Sequence, residues 1–355
     1  MATRETIRIG VVGAGANTRL RHIPGFQAIE GVEVVAVCNR TEASSRAVAE
    51  AFGIPRICGH WREIVEADDV DAVCIGTWPY LHAEITCAAL EAGKHVLTEA
   101  RMARNVAEAE RMLEASRKHP ELVAQIVPAP MSLDLDAAVS RLFAEGRIGE
   151  LREVCLTQTG PACADASAPL SWRQDFELSG VNTLMLGIYY EMGRRWTGID
   201  PVRVLAQGRV FTKSRRDGEG REVVVRIPDA VTVLGEYADG GRLVGHFSGV
   251  ETTRPRTEIR VNGSRGCLRG DFAENALYFA PVGGEEAPVA VPESERRGWR
   301  VEADFVESIR TGAPVQLTNF EDGLAYMRFT EAVFRSQEAG GIWVSPRELG
   351  GGIDQ

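Results

Sequence analysis

Ile7-Arg8-Ile9-Gly10-Val11-Val12-Gly13-Ala14-Gly15-Ala16-Asn17-Thr18 is the stretch whose reading decides the fold. Ile7–Val12 is a near-continuous apolar run, the pattern of a parallel strand covered on both faces. Gly13 and Gly15 follow at once. They match the first two positions of G-x-G-x-x-G between a strand and a helix. The first glycine permits the tight turn. The second lets backbone approach a diphosphate, which then sits at a helix N-terminus. Thr18 replaces the third glycine, which loosens helix–strand packing without removing the turn. Ala14, Ala16 and Asn17 complete the loop.

Further along, apolar runs at Val32–Cys38, Ala72–Ile75, 96–97 and 122–127 alternate with helical patterns. Leu81, Ile85, Ala88 and Ala89 share one helix face. Asn105 with Glu108 three residues on reads as a helix cap. Strand–helix alternation of this kind predicts a doubly wound parallel sheet over residues 1–127. Two prolines in 128–135 mark a crossover. Beyond it, runs at 153–158, 203–210, 222–227, 231–237, 242–247, 257–261 and 277–279 read as strands. Asp239-Gly240-Gly241, Asn262-Gly263-Ser264 and Gly283-Gly284 join several of them as hairpins. Helices are expected at 136–145, 182–196, 301–310 and 321–338. The expectation is an α/β chain with a Rossmann domain and a second α+β domain, 128–355, built on an open, largely antiparallel sheet. Its C-terminal helices are candidates for packing back on the first domain.

The second strand ends Val37-Cys38-Asn39-Arg40. An acid there would bind a ribose 2′-hydroxyl and repel a 2′-phosphate. Asn39 is neutral and Arg40 is basic, so the charge logic favours NADP over NAD. The plainer reading of Arg40 is a solvated residue at a helix start.

The 355 residues fit two domains. Forty basic against fifty acidic residues give a net charge of −10, which argues against nucleic acid or a membrane surface as partner. Arg215 and Arg216 read as a solvated polar turn. No apolar stretch is long enough to span a bilayer, and the N-terminal apolar run is too short for a leader. Seven widely spaced cysteines suggest free thiols and a cytoplasmic location. Cys163 lacks a matched histidine and reads as inert. The histidines show no metal-ligand spacing.

The order of the G-x-G loop, Gly76-Thr77-Trp78-Pro79-Tyr80-Leu81-His82, Ala92-Gly93-Lys94-His95-Val96-Leu97-Thr98-Glu99, Gly146-Arg147-Ile148-Gly149-Glu150, Trp172-Arg173 and Gly263-Ser264-Arg265-Gly266 resembles the glucose–fructose oxidoreductase/inositol dehydrogenase (Gfo/Idh/MocA) family over nearly the whole chain. The resemblance implies hydride transfer between NAD(P) and a sugar or cyclitol hydroxyl or carbonyl. It also implies a homodimer or homotetramer formed through the open sheet. It places Thr77, Trp78 and His82 along the cofactor and Glu99 near the nicotinamide ribose. A helix-start histidine bonded to backbone is the plainer reading of His82.

Where the family reads Glu-Lys-Pro, this chain has Glu99-Ala100-Arg101. Where it reads Asp-x-Gly-x-His, alignment on Gly180 and Gly187 gives Met185-Leu186-Gly187-Ile188-Tyr189. Alcohol oxidation needs a base for the hydroxyl proton, and neither Ala100 nor Met185 is one. An unperturbed tyrosine, with a pKa near ~10, serves better as an acid. Tyr189 is therefore the candidate proton donor for a reduction, with Arg101 as electrostatic support. Tyr189 also reads as a half-buried helix aromatic, and Arg101 as a structural ion-pair residue. Tyr80, Trp172, Arg173, Asn182 and Tyr190 are candidates to line the substrate. Three functions stand side by side. One is an NAD(P)-dependent oxidoreductase of a sugar-like or small carbonyl substrate. The second is a redox-neutral isomerase or lyase that keeps the cofactor. The third is a cofactor-binding protein that has lost the chemistry.

Overall fold

The computed structural model describes residues 6–350. The chain divides into two compact units. One comprises 6–128 with Arg300–Leu324, the other 129–299 with 325–350.

The first unit opens with β1 (Ile7–Val12) and the glycine turn. A helical segment follows, with a π-type turn at Thr18–His22 running into α1 (Ile23–Gln27). Then come β2 (Val32–Cys38), α2 (Glu42–Phe52), β3 (Arg56–Ile57), α3 (Arg62–Val65), β4 (Ala72–Ile75), α4 (Pro79–Glu91), β5 (His95–Thr98), α5 (Val106–Lys118) and β6 (Ala124–Ile126). All five strand pairings are parallel, in the order β3-β2-β1-β4-β5-β6. This is the doubly wound order. Its direction reverses between β1 and β4, and there a crevice opens at the strands' carboxyl ends. β1 and β4 are buried almost throughout because helices cover both faces. Asn105 caps α5 as its spacing implied, its Oδ1 accepting from Glu108 N at 2.9 Å. Ile23 and Phe26 of α1 are fully buried, worth roughly 1.5–3 kcal/mol each.

The second unit contains α6 (Asp136–Ala144), β7 (Leu151–Thr159), α7 (Phe176–Ser179), α8 (Leu186–Thr197), β8 (Arg203–Arg209), β9 (Ser214–Arg216), β10 (Glu222–Val224), β11 (Ala230–Glu236), β12 (Arg242–Ser248), β13 (Thr257–Gly263), β14 (Gly266–Asp271), β15 (Ala276–Pro281) and β16 (Ala287–Pro288). Eight strands form one sheet in the order β16-β15-β14-β13-β7-β12-β11-β8. All neighbours are antiparallel except the parallel pair β7–β12. Helix α8 lies on one face. Its Gly193 allows contact with Leu156, and its Trp196 sits over Gly270, where a Cβ would come within 2.4 Å of the indole. α9 (Val301–Thr311) belongs to the first unit, and α10 (Phe320–Glu338) follows it in the chain.

Three local expectations are corrected. The helix expected from residue 182 begins at Leu186, because Leu184 adopts a left-handed φ of 47°. β14 was not foreseen; its glycines and charged residues hide a strand whose alternate residues are buried. Arg215 is not a solvated turn residue. It is 4% exposed, and its guanidinium donates to the carbonyls of Cys163, Asp165 and Ala168.

Candidate functional site

The crevice of the first unit is built around two glycines. Gly13 has a φ of +84°, and a Cβ on it would lie 2.6 Å from Thr77 N. A Cβ on Gly76 would lie 2.1 Å from Thr18 Oγ1 and 2.3 Å from Gly13 O. The loops after β1 and β4 thus touch backbone to backbone. Thr18 in the third-glycine position is buried and bonds to Gly13 O at 3.3 Å, so it braces the turn. Gly15 differs: its missing Cβ would meet only Gly76 O, at an ordinary 3.6 Å. Gly15 and Ala16 are exposed at the start of the helix. The open cradle and the helix N-terminus fit a diphosphate bridge.

One groove gathers Gly13, Ala14, Gly15, Asn39, Arg40, Thr77 and Trp78, together with Tyr80, which the sequence reading sets on the substrate instead. Thr41, Ser44 and Gly76 also line it, and the sequence reading missed them in this role. Asn39 is committed internally. Its Oδ1 accepts from Ala14 N at 2.6 Å and its Nδ2 donates to Ser44 Oγ at 3.0 Å. Arg40 is exposed, its guanidinium 5.6 Å from the centre of the Trp78 ring. The groove end at β2 therefore presents a cation, two hydroxyls and no carboxylate. This donor set fits a phosphorylated ribose.

At the carboxyl end of β5, Glu99 meets the helix that follows the glycine turn. Asn17 Nδ2 donates to Glu99 Oε1 at 2.6 Å, and His22 Nε2 lies 3.0 Å from the same oxygen. Burial works against ionisation of Glu99, but the bond from His22 outweighs it and holds the carboxyl below its usual range. On its other side His22 meets Glu302 of α9 at 2.5 Å. His22 and Glu302 carried no sequence signal. They are 280 residues apart, and only the return of α9 to the first unit joins them.

His82 does not line the groove. It is fully buried, with Nε2 2.9 Å from Thr77 O and Nδ1 3.0 Å from Arg101 O. Burial pulls its pKa down while the carbonyls oppose this. It ties the loop after β4 to the loop after β5, as the plainer reading held. Arg101 is 5% exposed, directly after Glu99 and Ala100.

In the second unit the aromatic candidates turn inward. Tyr189 is 1% exposed, edge-on to Phe247 and Phe272 at 5.9 and 5.7 Å. Burial pushes its phenol well above the ordinary value. A proton donor must touch substrate, so the assignment of Tyr189 as donor is corrected to a packing role. Tyr190 stacks on Phe329 at 3.8 Å and its hydroxyl donates to Asp200 at 2.5 Å, so it is not a substrate contact. Asn182 is fully buried and donates to Ser179 O at 2.6 Å, which likewise removes it from the substrate set. Trp172 is half-buried, and the exposed Arg173 lies 4.3 Å over its ring. Cys163 is buried, and burial pushes its thiol up to about 11. Among the described residues no group of three or more His, Cys, Asp or Glu is placed to hold a metal, and no helix is long and apolar enough to cross a membrane.

Residues 7–126 match the family model described as GFO/IDH/MocA oxidoreductase family, NAD-binding Rossmann fold. Residues 137–269 match the GFO/IDH/MocA C-terminal domain. A dTDP-3,4-didehydro-2,6-dideoxy-α-D-glucose 3-reductase of Saccharopolyspora spinosa is 28% identical over 83% of this chain and 81% of that protein. A levoglucosan dehydrogenase of Pseudarthrobacter phenanthrenivorans is 27% identical over 83% of this chain and 80% of its own. The crystal structure of an oxidoreductase domain protein from Kribbella flavida superposes with a TM-score of 0.86 at 28% identity, covering 96% of this chain and 99% of that one.

Proposed function

We propose that this chain, which belongs to the GFO/IDH/MocA oxidoreductase family and is an NAD-binding oxidoreductase, works as an NADPH-dependent reductase of a sugar-like or cyclitol carbonyl. The observation that carries the cofactor choice is the groove end at β2, where Arg40, Thr41 and Ser44 stand with no carboxylate. These three would hold the 2′-phosphate, with Asn39 locking the loop beneath them. The Gly13–Thr18 turn would hold the diphosphate. Trp78, Thr77 and Tyr80 would wall the adenosine side, and Glu99 with Asn17 would face the nicotinamide ribose. When bound, the dinucleotide supplies the hydride.

The direction follows from which groups can hold a proton. Ala100 and Met185 have none to exchange, and the enclosed phenol of Tyr189 keeps its own. Nothing at these positions takes a hydroxyl proton at neutral pH, so alcohol oxidation has no general base there. Reduction instead builds an alkoxide, which needs positive charge beside it and then takes its proton from water. Arg101, charged at every working pH but buried in the loop after β5, would supply that charge through space rather than by contact. The names of the two relatives point to a sugar ring as the substrate class. Trp172 and Arg173 offer an aromatic face and a cation suited to such a ligand.

Calorimetric titration of the purified protein with NADPH, NADP, NADH and NAD tests this cofactor reading. The 2′-phosphorylated forms are expected to bind at least tenfold tighter. Equal or tighter binding of NADH overturns the preference.

The open face of the eight-stranded sheet supports a second copy as partner. Leu205, Leu234, Val244 and Cys155 lie side by side in register on adjacent strands, none of them buried. Light scattering should give at least twice the chain mass of 38.7 kDa. Leu234→Arg should reduce it to a monomer, and a monomeric wild type rejects the contact.

A further inference from the structure

His22 sits in the π-type turn of the helix that follows the glycine loop, and its side chain is fully buried. Its two ring nitrogens face two different carboxylates. Nδ1 is 2.5 Å from Glu302 Oε1 and Nε2 is 3.0 Å from Glu99 Oε1. An ionised carboxylate only accepts hydrogen bonds. With both acids ionised, both nitrogens must carry protons and the ring is an imidazolium. Burial opposes that charge, but the two carboxylates outweigh it and lift the imidazole to about 9.

The cluster is built for this arrangement. Gly25, one turn along, leaves the slot through which Glu302 enters; a Cβ there would lie 2.9 Å from the carboxylate carbon. Phe305 of α9 packs edge-on against Phe26 at 6.2 Å, which holds α9 against α1. Asn17, two residues past Gly15, donates to the same Glu99 oxygen that His22 contacts. The charge on His22 thus bears on Glu99, on Asn17 and so on the turn that would face the diphosphate.

We propose that His22 is a positioning residue for the dinucleotide: as an imidazolium clamped between Glu99 and Glu302, it fixes the start of the diphosphate-facing helix against the end of β5, so that affinity depends on its charge. The inference rests on the cofactor reading above. The groups around the ring can be named element by element. Its own helix contributes Asn17 and Thr18, while Arg19 and Arg21 are exposed. β5 contributes Glu99. β4 contributes Cys74, whose thiol is kept protonated by burial and by both carboxylates. α4 contributes His82, which acts on the charge of Glu99 and is itself pulled down by burial. α9 contributes Glu302, with Asp304 facing Arg300 at 3.5 Å. Of these, His22 is the group that changes charge between neutral pH and 10.

The experiment titrates NADPH onto the full-length protein by fluorescence from pH 7 to 10, with circular dichroism confirming the fold at each pH. Wild-type Kd should stay flat to about pH 8 and rise about tenfold by pH 10, as the binding-competent fraction falls. His22→Gln should bind roughly tenfold more weakly at pH 7 and lose the alkaline rise. His22→Gln with Glu302→Gln should recover part of the loss, because the two amides can pair. A His22→Gln protein with wild-type affinity and the same alkaline rise overturns the inference. So does a flat wild-type profile, which needs no variant to fold. If wild type does not bind at pH 7, the cofactor reading fails and takes this one with it. Binding at pH 7 with a flat profile sinks this one alone.

Discussion

Arg40 and Asn39 occupy the place where an acid would select NAD, and they divide the work between them. Asn39 spends its amide on Ala14 and Ser44, while Arg40 stays exposed above Trp78. A charge-assisted contact to a phosphate is worth about 1.5–3 kcal/mol. Arg40→Ala should therefore weaken NADPH by about ten- to a hundred-fold in the same calorimetric titration and leave NADH nearly unchanged. An equal loss for both cofactors would mean that Arg40 shapes the groove rather than reads the phosphate. The place of Arg40 in the groove was legible in the sequence because it adjoins a motif of fixed spacing. Tyr189 was not legible in the same way. Its alignment to a family position gave its place on the helix, but not that Phe247 and Phe272 would enclose its ring. Arg215 misled for a related reason. Its neighbours in the chain are polar, and the carbonyls that bury it come from a loop some fifty residues earlier.

At the scale of elements, the parallel strands were readable because burial on both faces leaves an unbroken apolar run. Ile7–Val12, Val32–Cys38 and Ala72–Ile75 appear as read. The second sheet was readable mainly through its turns. Asp239-Gly240-Gly241 and Asn262-Gly263-Ser264 do join antiparallel neighbours, whereas β14, rich in glycine and charge, escaped notice. What no pattern carries is how closely two loops approach. Gly76 reads in the sequence only as part of a motif, yet the contact between the loops after β1 and β4 depends on it. Gly76→Ala would force backbone apart, at a cost of about 1–3 kcal/mol or more. The melting temperature should fall by several degrees and NADPH binding should drop sharply. Unchanged melting and binding would mean that the two loops are not held in this contact.

The molecule as a whole uses its late sequence to finish its early unit. Glu302 completes the charge cluster around His22, and Gln125, at the sheet's edge strand β6, donates to Val301 O. Such long-range closures leave no trace in local spacing, which is why the glycine loop was visible from the start and its charged support was not. The proposed function also belongs to the whole chain: an NAD-binding oxidoreductase with no base at Ala100, Met185 or Tyr189 is proposed to work as a reductase. The most direct measurement is NADPH absorbance after mixing the enzyme with a panel of keto-sugars and inososes, alongside NADP reduction with the matching alcohols. The account predicts NADPH consumption with at least one carbonyl at neutral pH. No NADPH consumption with any carbonyl, or product formed with no net change in NADPH, would contradict it.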